Sequence, residues 1–357
     1  MYPNFQFFLE QLTGTPMPDF LGIFQVFGLF VALAFIAAAW VITQELKRKE
    51  QQGLLHPKLS KQKDKKTGEV KKVWVAPHQR VGEIVIICAI AGLGGAKLFS
   101  FFENWDSFVQ DPIGNIFSRS GLTFYGGLIV ATISLIFYSR KHKIGFKHLC
   151  DAAAPALILA YGIGRLGCHF SGDGDWGIFN SAYITQPDGT LRLAVAGEFE
   201  KMLNVAHPYF VNNFGSLANV PHTPVVAPSW LPDWAVAMNY AHNVNNEGVA
   251  LAGCTGNYCG VLPVGVFPTS LYEAIVCTGI FFFLWSIRKR IHTAWTMFGI
   301  YLIFNGLERF TIEKIRVNVK YDWGFIHPTQ AEVISFSLVL IGIGLVIFNR
   351  KKASITV

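Results

Sequence analysis

The chain has 357 residues, 52% of them hydrophobic and only 15% charged, with a mean hydropathy of +0.37. Soluble domains carry about a quarter charged residues, so the composition argues against an ordinary water-soluble globule. The net charge of +7 sits in clusters between apolar runs and is accounted for without nucleic acid.

Residues 1–20 contain no Lys or Arg. The first apolar run therefore lacks the basic flank of a cleaved signal peptide and reads as a retained span. Seven apolar runs lie at roughly 21–43, 81–102, 121–138, 148–168, 268–287, 294–312 and 329–348. Each is about 20 residues, the length a helix needs to cross a hydrocarbon core ~30 Å thick. The expected fold is an all-α integral membrane protein of about seven transmembrane helices, with a small extracytoplasmic head between helices four and five.

Cations set the expected topology. Twenty-one of the 30 Lys and Arg residues fall in four clusters. Eleven, including Lys65 and Lys66, lie in 44–80; the others are Arg140, Lys141, Lys143 and Lys147, then Arg288, Lys289 and Arg290, then Arg350, Lys351 and Lys352. All four share one side if the N-terminus is outside, and the positive-inside rule makes that side the cytoplasm. The organisation read from this is an outer segment 1–20 and spans one to four over 21–177, with a basic cytoplasmic loop 44–80. The head covers 178–266, spans five to seven 267–349, and a cytoplasmic tail 350–357. The basic loop serves topology; binding of anionic membrane lipids is a second reading.

The 178–266 stretch is too long for a simple connection, is rich in Asn, Pro and Trp, and holds only Arg192 and Lys201 as cations. Cys254 and Cys259 sit there in Gly-Cys-Thr-Gly-Asn-Tyr-Cys-Gly, a spacing that permits a disulfide in an oxidising compartment. A metal would need two more ligands, and none is obvious nearby. Cys88, Cys150, Cys168 and Cys277 lie in or beside spans and read as packing residues.

Ionisable groups at membrane depth are costly and usually face a cavity or a partner. Here they gather at the outer ends of the runs: Tyr125; Arg165; Tyr272 and Glu273; Glu308, Arg309, Glu313 and Arg316; Gln330 and Glu332. Snorkelling explains any one of them, but five helices delivering polar groups to one level point to a shared site. Arg309, Glu313 and Arg316 are spaced i, i+4 and i+7 and share a helix face, so Glu313 can hold an arginine in place. Glycines beside Arg165 and Tyr125 leave backbone donors free for anions. Two guanidinium groups with such donors suit phosphate, which at this depth reads as a phospholipid headgroup.

Four stretches in order carry a family resemblance. Gly164 to Gly177, beginning Gly-Arg-Leu-Gly and ending after an acidic, glycine-rich turn, resembles the signature of the bacterial prolipoprotein diacylglyceryl transferases. Phe124-Tyr125-Gly126-Gly127 resembles that family's Phe-His-Gly-Gly, and Pro268 to Glu273 its Pro-Ser-Gln-Leu-Tyr-Glu. Asn305 to Phe310, with Glu313 and Arg316, is similar to its Tyr-Gly-x-x-Arg followed by Glu and Arg. The resemblance implies a multi-pass enzyme of the bacterial cytoplasmic (inner) membrane that acts in lipoprotein biosynthesis. It implies transfer of the sn-1,2-diacylglyceryl group from phosphatidylglycerol to the lipobox cysteine of preprolipoprotein signal peptides, with no cofactor and no metal.

Carried over by position, Arg165 and Arg309 bind the phosphate and stabilise the departing charge. Glu313 orients Arg309, Gly177 belongs to a tight turn, and Gly126, Gly127, Tyr272 and Asn305 line the substrate site. Four positions depart from the family pattern: Tyr125 for His, Cys168 for Asn, Asn305 for Tyr and Lys97 for Arg. A phenol with a pKa of ~10 is a weak base at neutral pH. Either His169 or a water held by Tyr125 is therefore expected to deprotonate the incoming thiol, the alternative being that His169 packs or caps its turn. A metal on His169, Asp173 and Asp175, or a covalent lipid carrier at Cys168, has no spacing or chemical need behind it. Two rival functions are a non-catalytic phospholipid-binding homologue and an anionic-solute transporter. Transport predicts charges spread through the membrane depth, and here they sit at one level.

Overall fold

The computed structural model describes residues 1–63, 70–117, 123–318, 321, 324 and 327–355. Lys65 and Lys66, the first two positions of the run 121–138, and the last two of the tail lie outside the described residues. The chain divides into two compact units. The head-bearing unit holds Met1–Ala34, Leu157–Arg290 and Gly299–Phe348; the hairpin-bearing unit holds Phe35–Ala156, Ile291–Phe298 and Asn349–Val357.

The elements run in chain order from α1 (Phe5–Thr13) and α2 (Val26–Gln51) through β1 (Lys58–Lys63) and β2 (Val70–Val75). Next come α3 (Val81–Glu103), α4 (Trp105–Gln110), α5 (Pro112–Phe117), α6 (Phe124–His142) and α7 (Phe146–Ser171). The head follows with β3 (Phe179–Thr185), β4 (Leu191–Leu193), α8 (Glu198–Val205), α9 (His207–Phe214), β5 (His222–Thr223), β6 (Val249–Ala250), β7 (Gly260–Val261) and β8 (Val264–Val266). The chain closes with α10 (Thr269–Ile287), α11 (Thr296–Glu313) and α12 (Gln330–Ile355).

Among the described residues, five helical segments are long and apolar enough to cross a membrane: Val26–Gln51, Pro77–Glu103, Phe146–Ser171, Thr269–Arg290 and Gln330–Asn349. Large apolar side chains stand exposed on them, among them Ile36, Trp40, Ile86, Ile90, Phe282 and Phe336. Such surfaces suit hydrocarbon, where helices satisfy their own backbone groups. The remaining two runs form α6 and α11, of 19 and 18 residues; Arg140 and Lys141 close α6, and Glu308, Arg309 and Glu313 lie in α11.

The all-α expectation needs correction, because the chain is mostly helical with two regions of strand. The 178–266 stretch pairs β3 with β4 and β8 antiparallel and with β5 parallel. Phe179, Phe199, Phe210, Tyr240, Leu262 and Val264 fill its core, packing α8 and α9 onto the sheet. Such short strands carry almost no periodicity to read in a sequence. Nor is the basic segment 44–80 a plain loop. Its first turns continue α2 to Gln51, and β1 and β2 then form an antiparallel hairpin with Leu59 opposite Trp74.

Within the hairpin-bearing unit, α3 packs on α6 through glycines. A Cβ built on Gly126 would stand 2.6 Å from the Gly95 carbonyl, and one on Gly127 would stand 2.8 Å from that of Gly92. The two backbones meet directly, as small residues allow between membrane helices. In the same unit the buried Asp151 accepts the backbone N–H groups of Trp295 and Phe298 at 2.9 and 3.0 Å, and Lys49 stands 3.8 Å from it. That carboxylate satisfies orphan donors at the start of α11.

Candidate active site

The site lies in the head-bearing unit, where three segments far apart in sequence converge. The glycine-rich turn after α7 runs antiparallel to the chain after α11: Gly177 bridges to Arg316, and the Ile178 N–H donates to the Ile315 carbonyl at 2.9 Å. The Gly177 N–H donates to Phe267 at 2.8 Å, just ahead of α10. A Cβ at Gly177 would stand 2.7 Å from the Ile315 carbonyl and 2.9 Å from Thr269 Cγ2. Only glycine fits between these strands, so the tight turn expected there exists because two neighbours approach its backbone.

This junction assembles three arginines and three carboxylates. Arg165 of α7 donates through Nε to Glu273 of α10 and through Nη1 to Asp175 of the turn. Arg309 of α11 bridges Glu273 at 3.2 Å and Glu313 at 3.1 Å. Arg316 donates to Asp175 and stands 3.7 Å from Glu273. Asn318 donates to Glu313 at 2.7 Å, and the Thr269 hydroxyl to the Asp175 carbonyl at 3.0 Å. Glu273 has no exposed side-chain surface and touches all three guanidinium groups. Removing one member of a buried ion pair costs about 3–5 kcal/mol because its partner is left charged and unpaired. The cluster therefore spares Glu273 least.

The two acids of the turn are tuned apart. Burial alone would raise the Asp175 carboxyl, but the Arg165 and Arg316 charges outweigh it and hold the group below the usual carboxylate range. Burial, then the Asp175 charge, push Asp173 up to about 6. Ligand atoms of Cys168, Asp173 and Asp175 lie within 4.8 Å of one another, yet two guanidinium groups already supply the positive charge an ion would bring.

The expected site residues fall into three groups. Arg165, Arg309, Glu313 and Gly177 meet in the cluster, and Asn305 is half-buried one turn before Arg309 on α11. Tyr272 lies on α10, but its hydroxyl donates to the Ala235 carbonyl at 2.5 Å and its ring packs beside Tyr183 and Phe267 in the head. His169, one turn beyond Arg165, is buried against Phe170 and Tyr240, its Nδ1 3.2 Å from the Tyr240 hydroxyl. Tyr125, Gly126 and Gly127 belong to the hairpin-bearing unit, where the glycines form the α3–α6 seam. Cys254 and Cys259 are joined by a disulfide with Cα atoms 5.7 Å apart.

The sequence groups Glu273, Glu308 and Arg316 with the polar helix ends of a shared site but assigns none of them an individual role, and it weighs Asp175 only as a metal ligand. Glu273 and Arg316 had a signal, charge at a helix end, but their partners lie 108 and 141 residues away.

Residues 21–348 match the family model described as prolipoprotein diacylglyceryl transferase. A phosphatidylglycerol–prolipoprotein diacylglyceryl transferase of Chlorobaculum tepidum is 27% identical over 276 residues, 73% of this chain and 71% of that relative. One of Dehalococcoides mccartyi is 26% identical over 267 residues, 75% and 76% of the two chains. One of Leptospira interrogans is 28% identical over 181 residues, 44% of this chain, which spans about half (49%) of that relative's length. With the match running through α2, the arginine cluster and α12, the chain belongs to the prolipoprotein diacylglyceryl transferase family.

Proposed function

We propose that the chain transfers the diacylglyceryl group of phosphatidylglycerol to the lipobox cysteine of a preprolipoprotein, the first step of bacterial lipoprotein maturation. The observation that carries this reading is the convergence of Arg165, Arg309 and Arg316 on one buried cluster in which the Nη2 of Arg165 is buried without a partner. That nitrogen and the partly exposed Arg309 are donors a phosphate oxygen can take. In the reaction the cysteine sulfur bonds to the terminal glyceryl carbon. The bond from that carbon to the phosphate oxygen breaks, and its electron pair leaves on glycerol phosphate. Guanidinium groups fixed by Glu273, Asp175 and Glu313 need not reorganise as this charge develops, which is the physical advantage of a preorganised site. The thiol proton passes to a base, for which His169 is the candidate in the head-bearing unit.

Seven spans, with N-terminus and head outside and C-terminus in the cytoplasm of the inner membrane, complete the proposal. The 21 clustered cations and the disulfide in the head support this orientation. A second reading, phospholipid binding without catalysis, is favoured by Tyr125 standing where the family pattern has His.

The test follows labelled phosphatidylglycerol onto a lipobox peptide. Wild type is expected to transfer label, and Arg309→Ala to lower the rate by about 100-fold or more, as loss of a donor to developing charge does. Lipid binding without any transfer in the wild type would select the binder. Full activity of His169→Ala would remove His169 as the base.

A further inference from the structure

Glu308 lies in α11 beside Arg309, is 5% exposed, and has neither carboxyl oxygen hydrogen-bonded. Among the described residues it is the one buried carboxyl with both oxygens unpartnered. Asp175, Glu273 and Glu313 all have arginine partners. A buried polar group left unsatisfied costs on the order of 1–3 kcal/mol, more when charged, so such a group calls for a partner. Glu308 interacts electrostatically with Glu273, Arg309, Arg165 and Arg316 and so belongs to the same cluster. That cluster also holds the unpartnered buried donor, Arg165 Nη2, and the two are not paired with each other.

For the ionised carboxylate, which only accepts, a single ligand that satisfies both must offer an acceptor to Arg165 and a donor to Glu308. A bare phosphate offers acceptors only, and its charge would oppose Glu308. An ammonium headgroup offers donors but would enter beside three guanidinium groups. A neutral hydroxyl near a phosphate meets both requirements without like-charge contact. We infer that Glu308 and Arg165 Nη2 form a headgroup subsite for a hydroxyl-bearing phosphate ester, Arg165 donating to a phosphate oxygen and Glu308 accepting from a headgroup hydroxyl. This rests on the phospholipid reading of the site and assigns Glu308 as the residue that distinguishes a glycerol headgroup from others.

The test compares binding of three lipids to the purified full-length protein in detergent by native mass spectrometry. Phosphatidylglycerol carries the hydroxyls, phosphatidylpropanol has the same phosphate charge without them, and phosphatidylethanolamine carries an ammonium. Wild type is expected to prefer phosphatidylglycerol over phosphatidylpropanol by about tenfold or more, the worth of a hydrogen bond to a charged group. Glu308→Leu should bring the ratio near one. Glu308→Gln, which keeps one acceptor oxygen and the side-chain shape, should narrow it and serves where the leucine variant does not fold. A wild-type ratio near one, an unchanged ratio in a folded variant, or a preference for phosphatidylethanolamine that Glu308→Leu removes would each overturn the assignment. Hydroxyl-dependent binding without transfer to a lipobox peptide would support the subsite and count against the transferase.

Discussion

Asp173 and Asp175 stand two positions apart in one glycine-rich turn, yet their environments move them in opposite directions. The depressed Asp175 contributes stability that is present above its unfolded pKa of ~3.9 and is lost as pH falls through its lower folded value. Asp173 does the reverse. Between ~4 and about 6 the folded chain keeps a proton that the unfolded chain has released, so this residue's contribution declines as pH rises through that window. Asp173→Asn removes the decline. Its expected effect is a gain in stability at pH 8 on the order of 1–3 kcal/mol, seen as a higher Tm, and none at pH 4, read by thermal unfolding in detergent. An equal shift at both pH values would show that packing, not ionisation, is responsible. The local part of this chemistry was legible, since Arg309 and Glu313 pair at i, i+4 as their spacing implies. The pairing of Arg165 with Glu273 was not, because nothing in 108 intervening residues states which carboxylate an arginine will meet.

Helices α3 and α6 meet on backbone. The motif glycines at 126 and 127 were expected to line the substrate site, and the structure gives each a packing task that a methyl group would disturb. Gly126→Ala is therefore expected to destabilise the protein by about 1–3 kcal/mol through overpacking. Gly94→Ala, also in α3 but with nothing within 4 Å of its added Cβ, should leave Tm unchanged or slightly raised by helix propensity. Loss of transfer in Gly126→Ala with an unchanged Tm would return the glycine to a direct substrate role. Apolar run lengths placed the long helices within a few residues. The exceptions are α2, which begins at Val26 and runs on to Gln51, and α12, which runs on to Ile355. Helix ends depend on capping and on neighbours, and hydrophobicity reports neither. The head's strands went unread for the same reason, since β5 to β8 are two or three residues each and exist only as paired partners.

The cations cluster between the apolar runs of the chain. If the proposed orientation holds, a cysteine-reactive impermeant reagent added to intact spheroplasts should label a Cys introduced at Ser229 in the head. A Cys at Ser60 in the β1–β2 hairpin should be labelled only after lysis; labelling of Ser60→Cys in intact cells would invert the topology. The apolar runs and the sidedness expected of the loops were read from the sequence alone, because each depends on composition summed over about 20 residues or on charge counted loop by loop. The family was legible too, through four motifs in order, and residues 21–348 match it. Tertiary structure decided what the motifs do together. It made Glu273 the common partner of three arginines, left Arg165 Nη2 and Glu308 without partners, and turned His169 toward Tyr240. Those outcomes depend on distances between segments 36 to 108 residues apart, which composition and periodicity do not encode.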